Sequence, residues 1–336
     1  MPENPIEQLK KVLSEYSEVL IIPHNDPDPD AIASATALRY LLGEMLGLSS
    51  RIAYQGIVGR AENKALVRYL KNPLQRLNFS ELRQGIPIAL VDTQPGAGNN
   101  PLPTDVNATI VIDHHTWRKA SATARFVDVR TEMGSTTTIL VEYLRRANLE
   151  VHPTLATALF YGIKVDTMGL SREASPEDVE AYFYLLPQID IDAITQIENA
   201  QVPTVYFKSF TSALQAAKIY DHDTVISFIG KMAYPDLGAE IADLLLRLQD
   251  VQWVICMGVY ENELILSVRS RNRQIRAGSL VREIVGGQGT AGGHGTMAGG
   301  HIPLHEQDGQ QLATQLTNKA LLLIKGEEDI ASTNLV

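Results

Sequence analysis

The stretch LIIPHNDPDPDAIASATAL, Leu20–Leu38, passes from an apolar segment through one histidine and three aspartates into an alanine-rich helical pattern. Its upstream half, EVLIIP at 18–23, reads as a buried strand, and DAIASATALRYLLGEML at 30–46 reads as a helix. Pro29 falls near the helix start, where a missing N–H costs nothing. Like charges in so short a loop repel one another. Each aspartate therefore needs a local role, as turn residue or helix N-cap, or the group needs positive charge from outside the chain.

Outward from this stretch the same juncture recurs. The run PIALVD (87–92) ends in Asp92, and ATIVID (108–113) ends in Asp113, followed by His114 and His115. RIAY (51–54) is a further short strand. Helical patterns intervene at 134–149 and 153–167, the second carrying Asp166. Continuous apolar strands alternating with helices predict an α/β fold with a parallel sheet covered on both faces. In such sheets ligands bind beyond the carboxyl ends of the strands, so residues distant in sequence are expected to converge there. Asp28, Asp30, Asp92 and Asp166 would bring about four negative charges to one crevice, and two divalent cations would balance them. Histidine nitrogen beside carboxylate oxygen suits Mn²⁺, with Co²⁺, Mg²⁺, Fe²⁺ or Zn²⁺ as alternatives. Two ions sharing a bridging carboxylate would sit roughly 3.5–4 Å apart and clamp an in-line phosphoryl displacement.

The chain has 336 residues, a net charge of −10 and a single cysteine, Cys256, in an apolar strand. That size allows two domains. The charge argues against broad electrostatic grip on long nucleic acid but permits a small anionic substrate. One cysteine excludes an intrachain disulfide and fits a reducing, cytoplasmic setting. No apolar run has the length of a membrane span, and the polar N-terminus is not a signal peptide. The pattern divides into a first domain at 1–187, a helical linker at 188–208 and a smaller α/β domain at 209–336. Within the last, 224–230, 251–260 and 263–270 read as strands, the final two joined by a tight turn. GGQGTAGGHGTMAGG (286–300) follows a run that holds Arg269, Arg271, Arg273, Arg276 and Arg282 without an acid among them. Glycine N–H groups can form an anion nest, and guanidinium forks onto phosphate.

His24, Asp28 and Asp30 in their H-x3-D-x-D spacing, Asp92, the DHH triplet at 113–115 and Asp166 resemble, in order, the four motifs of the DHH phosphoesterase superfamily. Gly292, Gly293 and His294, followed by Met297-Ala298-Gly299, resemble the glycine motif of the DHHA1 domain. The resemblance implies an N-terminal parallel-sheet DHH domain, a smaller C-terminal α/β DHHA1 domain and an active-site cleft between them. It further implies His24 and Asp28 on a first metal, and Asp30, His114 and Asp166 on a second, with Asp92 bridging. Asp113 would orient His114, and His115 would face the scissile phosphate or act as acid toward the leaving group. A hydroxide held by the two metals would attack. Arg269, Arg271, Gly292, Gly293 and His294 would receive the substrate. Asp26 falls outside the ligand pattern and reads as a loop residue available to cap the following helix.

The expected activity is hydrolysis of short oligoribonucleotides from the 3′ end, of 3′-phosphoadenosine 5′-phosphate, or of both, as in nanoRNase-like members. Alternatives are a cyclic- or linear-dinucleotide phosphodiesterase, an exopolyphosphatase-like hydrolase, or a nucleotide sensor without chemistry. The expected partner is a short RNA or a nucleotide and no membrane, and a homodimer is left open. The chain departs from the family's pattern in DTMGL at the fourth motif, in Ala291 where a third glycine often sits, and in the long DTQPGAGN connection.

Overall fold

A computed structural model describes residues 4–272, 277–327 and 330–336, apart from the side chain of His294. The chain divides into two compact units, Met1–Ala200 and Gln201–Val336.

The first unit is built on β1 (Glu18–Pro23), β2 (Ser49–Tyr54), β3 (Leu74–Arg76), β4 (Ile88–Val91), β5 (Ile110–Asp113) and β6 (Phe126–Val129). They form one sheet in the order β3-β2-β1-β4-β5-β6, parallel at every step. Successive residues of β1 point to opposite faces, and both faces are buried. Val19 and Ile21 join one core with α1 (Pro5–Leu13), α2 (Pro29–Leu46), α3 (Ala61–Tyr69), α4 (Thr136–Arg146) and α5 (Pro153–Asp166). Leu20 and Ile22 join a smaller core on the other face. That explains the unbroken apolar run, since a strand covered on both sides has no polar alternation. Among the described residues no long helix covers the second face. Leu82 of the 3₁₀ turn Phe79–Arg83 and Leu102, Val106 and Ala108 of the connection after β4 cover it. The connection that opens with DTQPGAGN is thus, in its later half, part of the wall of the domain.

Chain order reverses between β1 and β4, which is the switch point at which open α/β sheets leave a crevice. His24 follows β1, Asp92 follows β4, and Asp113 ends β5. α6 (Pro176–Leu185) and α7 (Ile191–Glu198) complete the unit, and Ile194 and Ile197 of α7 are packed into its core. The segment read as a linker therefore begins as an integral helix.

The second unit contains α8 (Thr204–Ala216), β7 (Lys218–Tyr220), β8 (Thr224–Lys231), α9 (Leu237–Leu245), β9 (Trp253–Tyr260), β10 (Glu263–Ser270), α10 (Ala277–Val285), β11 (Thr290–His294), β12 (Met297–Pro303), α11 (Gly309–Lys325) and β13 (Ser332–Asn334). Its sheet runs β11-β12-β10-β9-β8-β7-β13, with only β8 and β9 parallel. The glycine-rich segment forms the edge ribbon β11–β12 rather than a free loop. At Gly293, φ is 149° and an added Cβ would come within 2.4 Å of the Met297 carbonyl oxygen, so the ribbon admits no side chain there. Among the described residues no helix is long and apolar enough to cross a membrane.

Candidate metal centre

α2 begins where the β1 loop ends. Asp28 is its N-cap, with Oδ1 accepting from the Ala31 N–H at 3.0 Å. Asp26 does not cap the helix. It has φ 56° and accepts from the Ile57 N–H at 2.6 Å, bracing the loop against the β2 end. Asp30, one helical position inside, is fully buried. Its carboxylate accepts from two backbone amides at the start of α4, Thr136 and Thr137, each at 2.7 Å. A helix N-terminus presents unsatisfied N–H groups and positive potential, which is why a carboxylate can be buried there.

Asp92 sits past the end of β4 with φ 60°, a conformation that side-chain-bearing residues seldom adopt. Its N–H donates to the Ile112 carbonyl, and its Oδ1 accepts from Thr136 Oγ1 at 2.8 Å. Asp166 is brought in by α5. Gly162, one turn earlier, lies so close to α2 and α4 that an added Cβ would be 2.7 Å from Thr137 Oγ1 and 3.3 Å from the Pro29 carbonyl oxygen. Only glycine lets α5 approach this far.

These elements bring together all six residues predicted to hold metal. His24 Nε2 lies 3.6 Å from Asp28 Oδ1 and 3.5 Å from Asp92 Oδ2. His114 Nε2 lies 3.5 Å from Asp166 Oδ2, 3.6 Å from Asp92 Oδ1 and 3.9 Å from Asp30 Oδ2. His24, Asp28 and Asp92 form one group whose donor atoms lie within 4.8 Å of one another; Asp30, His114 and Asp166 form a second. Asp92 turns one oxygen to each histidine. Both rings have Nδ1 on a backbone carbonyl, His24 on Asn25 at 2.7 Å and His114 on Met133 at 3.2 Å. Nδ1–H donation turns Nε2 of each ring inward, as the atom that would ligate a metal on giving up its proton.

Electrostatics favour the same reading. Burial, then repulsion from Asp30 and Asp28, hold the Asp92 carboxyl well above the usual carboxylate range. Burial and the same two neighbours do so for Asp166, with Arg172 opposing. Asp30 is pushed up to about 6 by burial and Asp28, against its hydrogen bonds from Thr137 and Thr136. His24 is pulled down by burial, but Asp28 more than reverses this and raises it to about 9. The carboxyls are short of positive charge, and the oxygen and nitrogen donors suit a divalent cation.

Asp113 departs from its expected role. It accepts from the His114 backbone N–H at 2.9 Å, and its Oδ1 holds the ring of His115, not that of His114, with Nδ1 at 2.8 Å. Residues two apart on the extended chain share a side, so the carboxylate reaches the second histidine. His115 is 39% exposed. Gln94 was not foreseen. It is buried, and its Nε2 donates to Asp113 Oδ2 at 2.6 Å. Thr136 and Thr137 were also missed, though the cluster STTT opening a helix is a sequence signal for carboxylate-binding amides and hydroxyls.

In the second unit the predicted substrate residues lie at one end of the neighbouring strands β10 and β11, either side of β12: Met297 pairs with both Arg269 and His294, and Ala298 with Gly293. Arg269 is buried, with Nε 2.5 Å from Asp243 Oδ1 and Nη1 on the Val268 carbonyl. Arg271 donates from Nε and Nη2 to the Leu246 carbonyl, at 3.1 and 2.8 Å. Both guanidinium groups are thus engaged by the protein. Gly292 lies on β11 with nothing among the described residues within 4 Å of where a Cβ would stand. Arg273, Arg276 and the His294 side chain lie outside the described residues.

A crevice at a parallel-sheet switch point, lined by alternating carboxylates and imidazoles, defines a metal-binding α/β protein. Residues 18–163 match the DHH family, N-terminal domain, and residues 223–321 match the DHHA1 domain. The chain belongs to the DHH/DHHA1 superfamily. It is 36% identical to an uncharacterised protein of Methanocaldococcus jannaschii over 85% of this chain and 58% of that one. It is 30% identical to a probable manganese-dependent inorganic pyrophosphatase of Deinococcus radiodurans over 52% of this chain and 55% of that one. The chain thus spans little more than half the length of these two relatives. An exopolyphosphatase-related protein from Bacteroides fragilis shares the fold, with TM-score 0.75 at 16% identity over 96% of each chain.

Proposed function

We propose that the protein is a metal-dependent phosphoesterase that cleaves short oligoribonucleotides from the 3′ end and acts on 3′-phosphoadenosine 5′-phosphate. The observation that carries this reading is the Asp92 carboxylate, one oxygen toward His24 and the other toward His114. In the proposal His24, Asp28 and Asp92 hold one divalent cation, and Asp30, Asp92, His114 and Asp166 hold a second, Mn²⁺ being the favoured ion. Such cations, when bound, polarise a phosphoryl oxygen and make a water nucleophilic at neutral pH. The name of the pyrophosphatase relative supports phosphorus–oxygen hydrolysis with manganese.

The chain's own groups supply the rest. Burial lowers the pKa of His115, but its hydrogen bond to Asp113 outweighs this and raises it, so the imidazolium persists toward neutral pH. With Nδ1–H held by Asp113, Nε2–H is the proton donor proposed for a leaving alkoxide. Thr136 holds Asp92 in place through its hydroxyl. Gly292 on its open strand is the proposed approach for a substrate phosphate in the second unit.

A second reading, hydrolysis of pyrophosphate or polyphosphate, is favoured by the names of the Deinococcus and Bacteroides proteins. A panel of RNA dinucleotides and trinucleotides, 3′-phosphoadenosine 5′-phosphate, cyclic dinucleotides, pyrophosphate and polyphosphate, each with Mn²⁺, separates the two. Turnover of the short RNAs is the expected result. Rapid polyphosphate hydrolysis with no attack on any nucleotide would replace the first reading by the second.

A further inference from the structure

The loop that follows His115 reads Thr116-Trp117-Arg118-Lys119, and all four residues are exposed. Trp117 is 49% exposed. A single exposed aromatic is ordinary on a surface, but this one is held in an uncommon way. The buried Gln94 amide grips the backbone on both sides of it. Nε2 donates to the His115 and Thr116 carbonyls at 3.3 and 3.2 Å, and Oε1 accepts from the Arg118 N–H at 2.7 Å and from Ser121 Oγ at 2.9 Å. The same Nε2 reaches Asp113 Oδ2 at 2.6 Å, and Asp113 holds His115. One side chain therefore fixes the proton donor of the proposed reaction and the peptide frame of Trp117 together. Two residues of extended chain place their Cα atoms at most about 7 Å apart.

Charge points the same way. Among the described residues neither the Arg118 guanidinium nor the Lys119 ammonium forms an ion pair or hydrogen bond. In a chain of net charge −10, two successive cations follow an indole whose flanking backbone is braced by Gln94, which suits an anion that carries an aromatic ring. Indole faces stack on nucleobases, and arginine and lysine meet phosphate. We infer that Trp117 is the stacking platform for the nucleobase next to the scissile phosphate, with Arg118 and Lys119 on the flanking phosphate. The ligand class is a nucleotide or short single-stranded RNA, and a bare polyphosphate would leave the indole unused. The inference rests on the proposed nucleotide reading and assigns it a specificity residue.

The test uses the full chain. The protein has two tryptophans, and Trp253 is buried at 3% exposure. In a Trp253→Phe variant, all tryptophan emission comes from Trp117. With Mg²⁺ present, AMP is expected to quench that emission by about half or more on saturation, while inorganic phosphate leaves it unchanged. AMP binding seen by calorimetry without quenching would overturn the platform. In kinetics with an RNA dinucleotide and tripolyphosphate, Trp117→Ala is expected to lower the dinucleotide-to-tripolyphosphate ratio of kcat/KM about tenfold, through KM. Trp117→Phe should restore most of it. An unchanged ratio, in an enzyme that cleaves the dinucleotide, defeats this inference and leaves the nucleotide reading intact. A wild-type protein that cleaves tripolyphosphate but no dinucleotide defeats both. If Trp117→Ala fails to fold, the quenching experiment still decides.

Discussion

The two units treat charge in opposite ways. In the first, carboxylates from the start of α2, the end of β4 and α5 converge with imidazoles, and Asp30, Asp92 and Asp166 are held above the usual carboxylate range by burial and by neighbouring carboxylates. In the second, Arg269 sits on Asp243 and Arg271 on a backbone carbonyl, so conspicuous cations are already satisfied at home. Both regions look functional when charges are counted along the chain. The structure separates charge that lacks a counter-ion from charge that has one.

The contrast can be broken most decisively at Asp92. Asp92→Asn removes the one carboxylate facing both groups and should lower Mn²⁺-dependent hydrolysis roughly 10²-fold or more. A circular-dichroism melt should show the fold retained, and wild-type turnover in a folded variant would dismantle the two-ion arrangement. Next comes Thr136→Val, which deletes the hydroxyl on Asp92 Oδ1 at nearly constant volume. Mn²⁺ affinity by calorimetry should fall about tenfold, and an unchanged value would show that this hydroxyl orients nothing.

Metal removal sharpens the comparison further. Without cations, the raised pKa values of Asp30, at about 6, and of His24, at about 9, mean that the folded protein holds protons that the unfolded chain releases. Each group stabilises the fold most at low pH, Asp30 losing its contribution between about 4 and 6 and His24 between about 6.5 and 9. Asp113, lowered to about 2 by its hydrogen bond from His115 against burial, does not titrate in that window. Chelator-treated protein should therefore melt at a higher temperature at pH 5.5 than at pH 8.5, and saturating Mn²⁺ should reverse the order. Identical order with and without metal would contradict the charge argument. The smallest effects belong to the second unit. Arg269→Gln should cost about 1–2 kcal/mol of stability, because it removes a buried guanidinium that bonds Asp243 and the Val268 carbonyl. Arg271→Ala should stay within about 0.5 kcal/mol. A large KM increase in either variant, with stability unchanged, would return the guanidinium to the substrate.

What could be read in advance followed from chemistry that repeats along the chain. β1 and α2 declare themselves by period and by Pro29, and the acids by their place after apolar strands. β6 did not, because FVDV alternates at a sheet edge and resembles a loop with one acid. β11 and β12 did not, because glycine carries no side chain whose alternation could signal a strand. Gln94, Thr136 and Thr137 were invisible for another reason. A neutral side chain that orients a ligand is specified by a hydrogen bond across the fold, and neither period nor charge marks it. The tie from Asp113 to His115 was not legible either, because the resemblance implied His114 and which ring a carboxylate reaches is set by the local backbone.

The strand order has a consequence for synthesis. β1 leads directly into the first residues of the centre yet lies in the middle of the sheet, and its neighbour β4 is made only after β2 and β3. Until then one edge of β1 stays open on the nascent chain, a position that invites pairing with other strands. Asp166 emerges later still, after the whole sheet. The centre therefore cannot close around an ion while the sheet is unfinished, and capture of metal doubles as a report that the domain has been assembled.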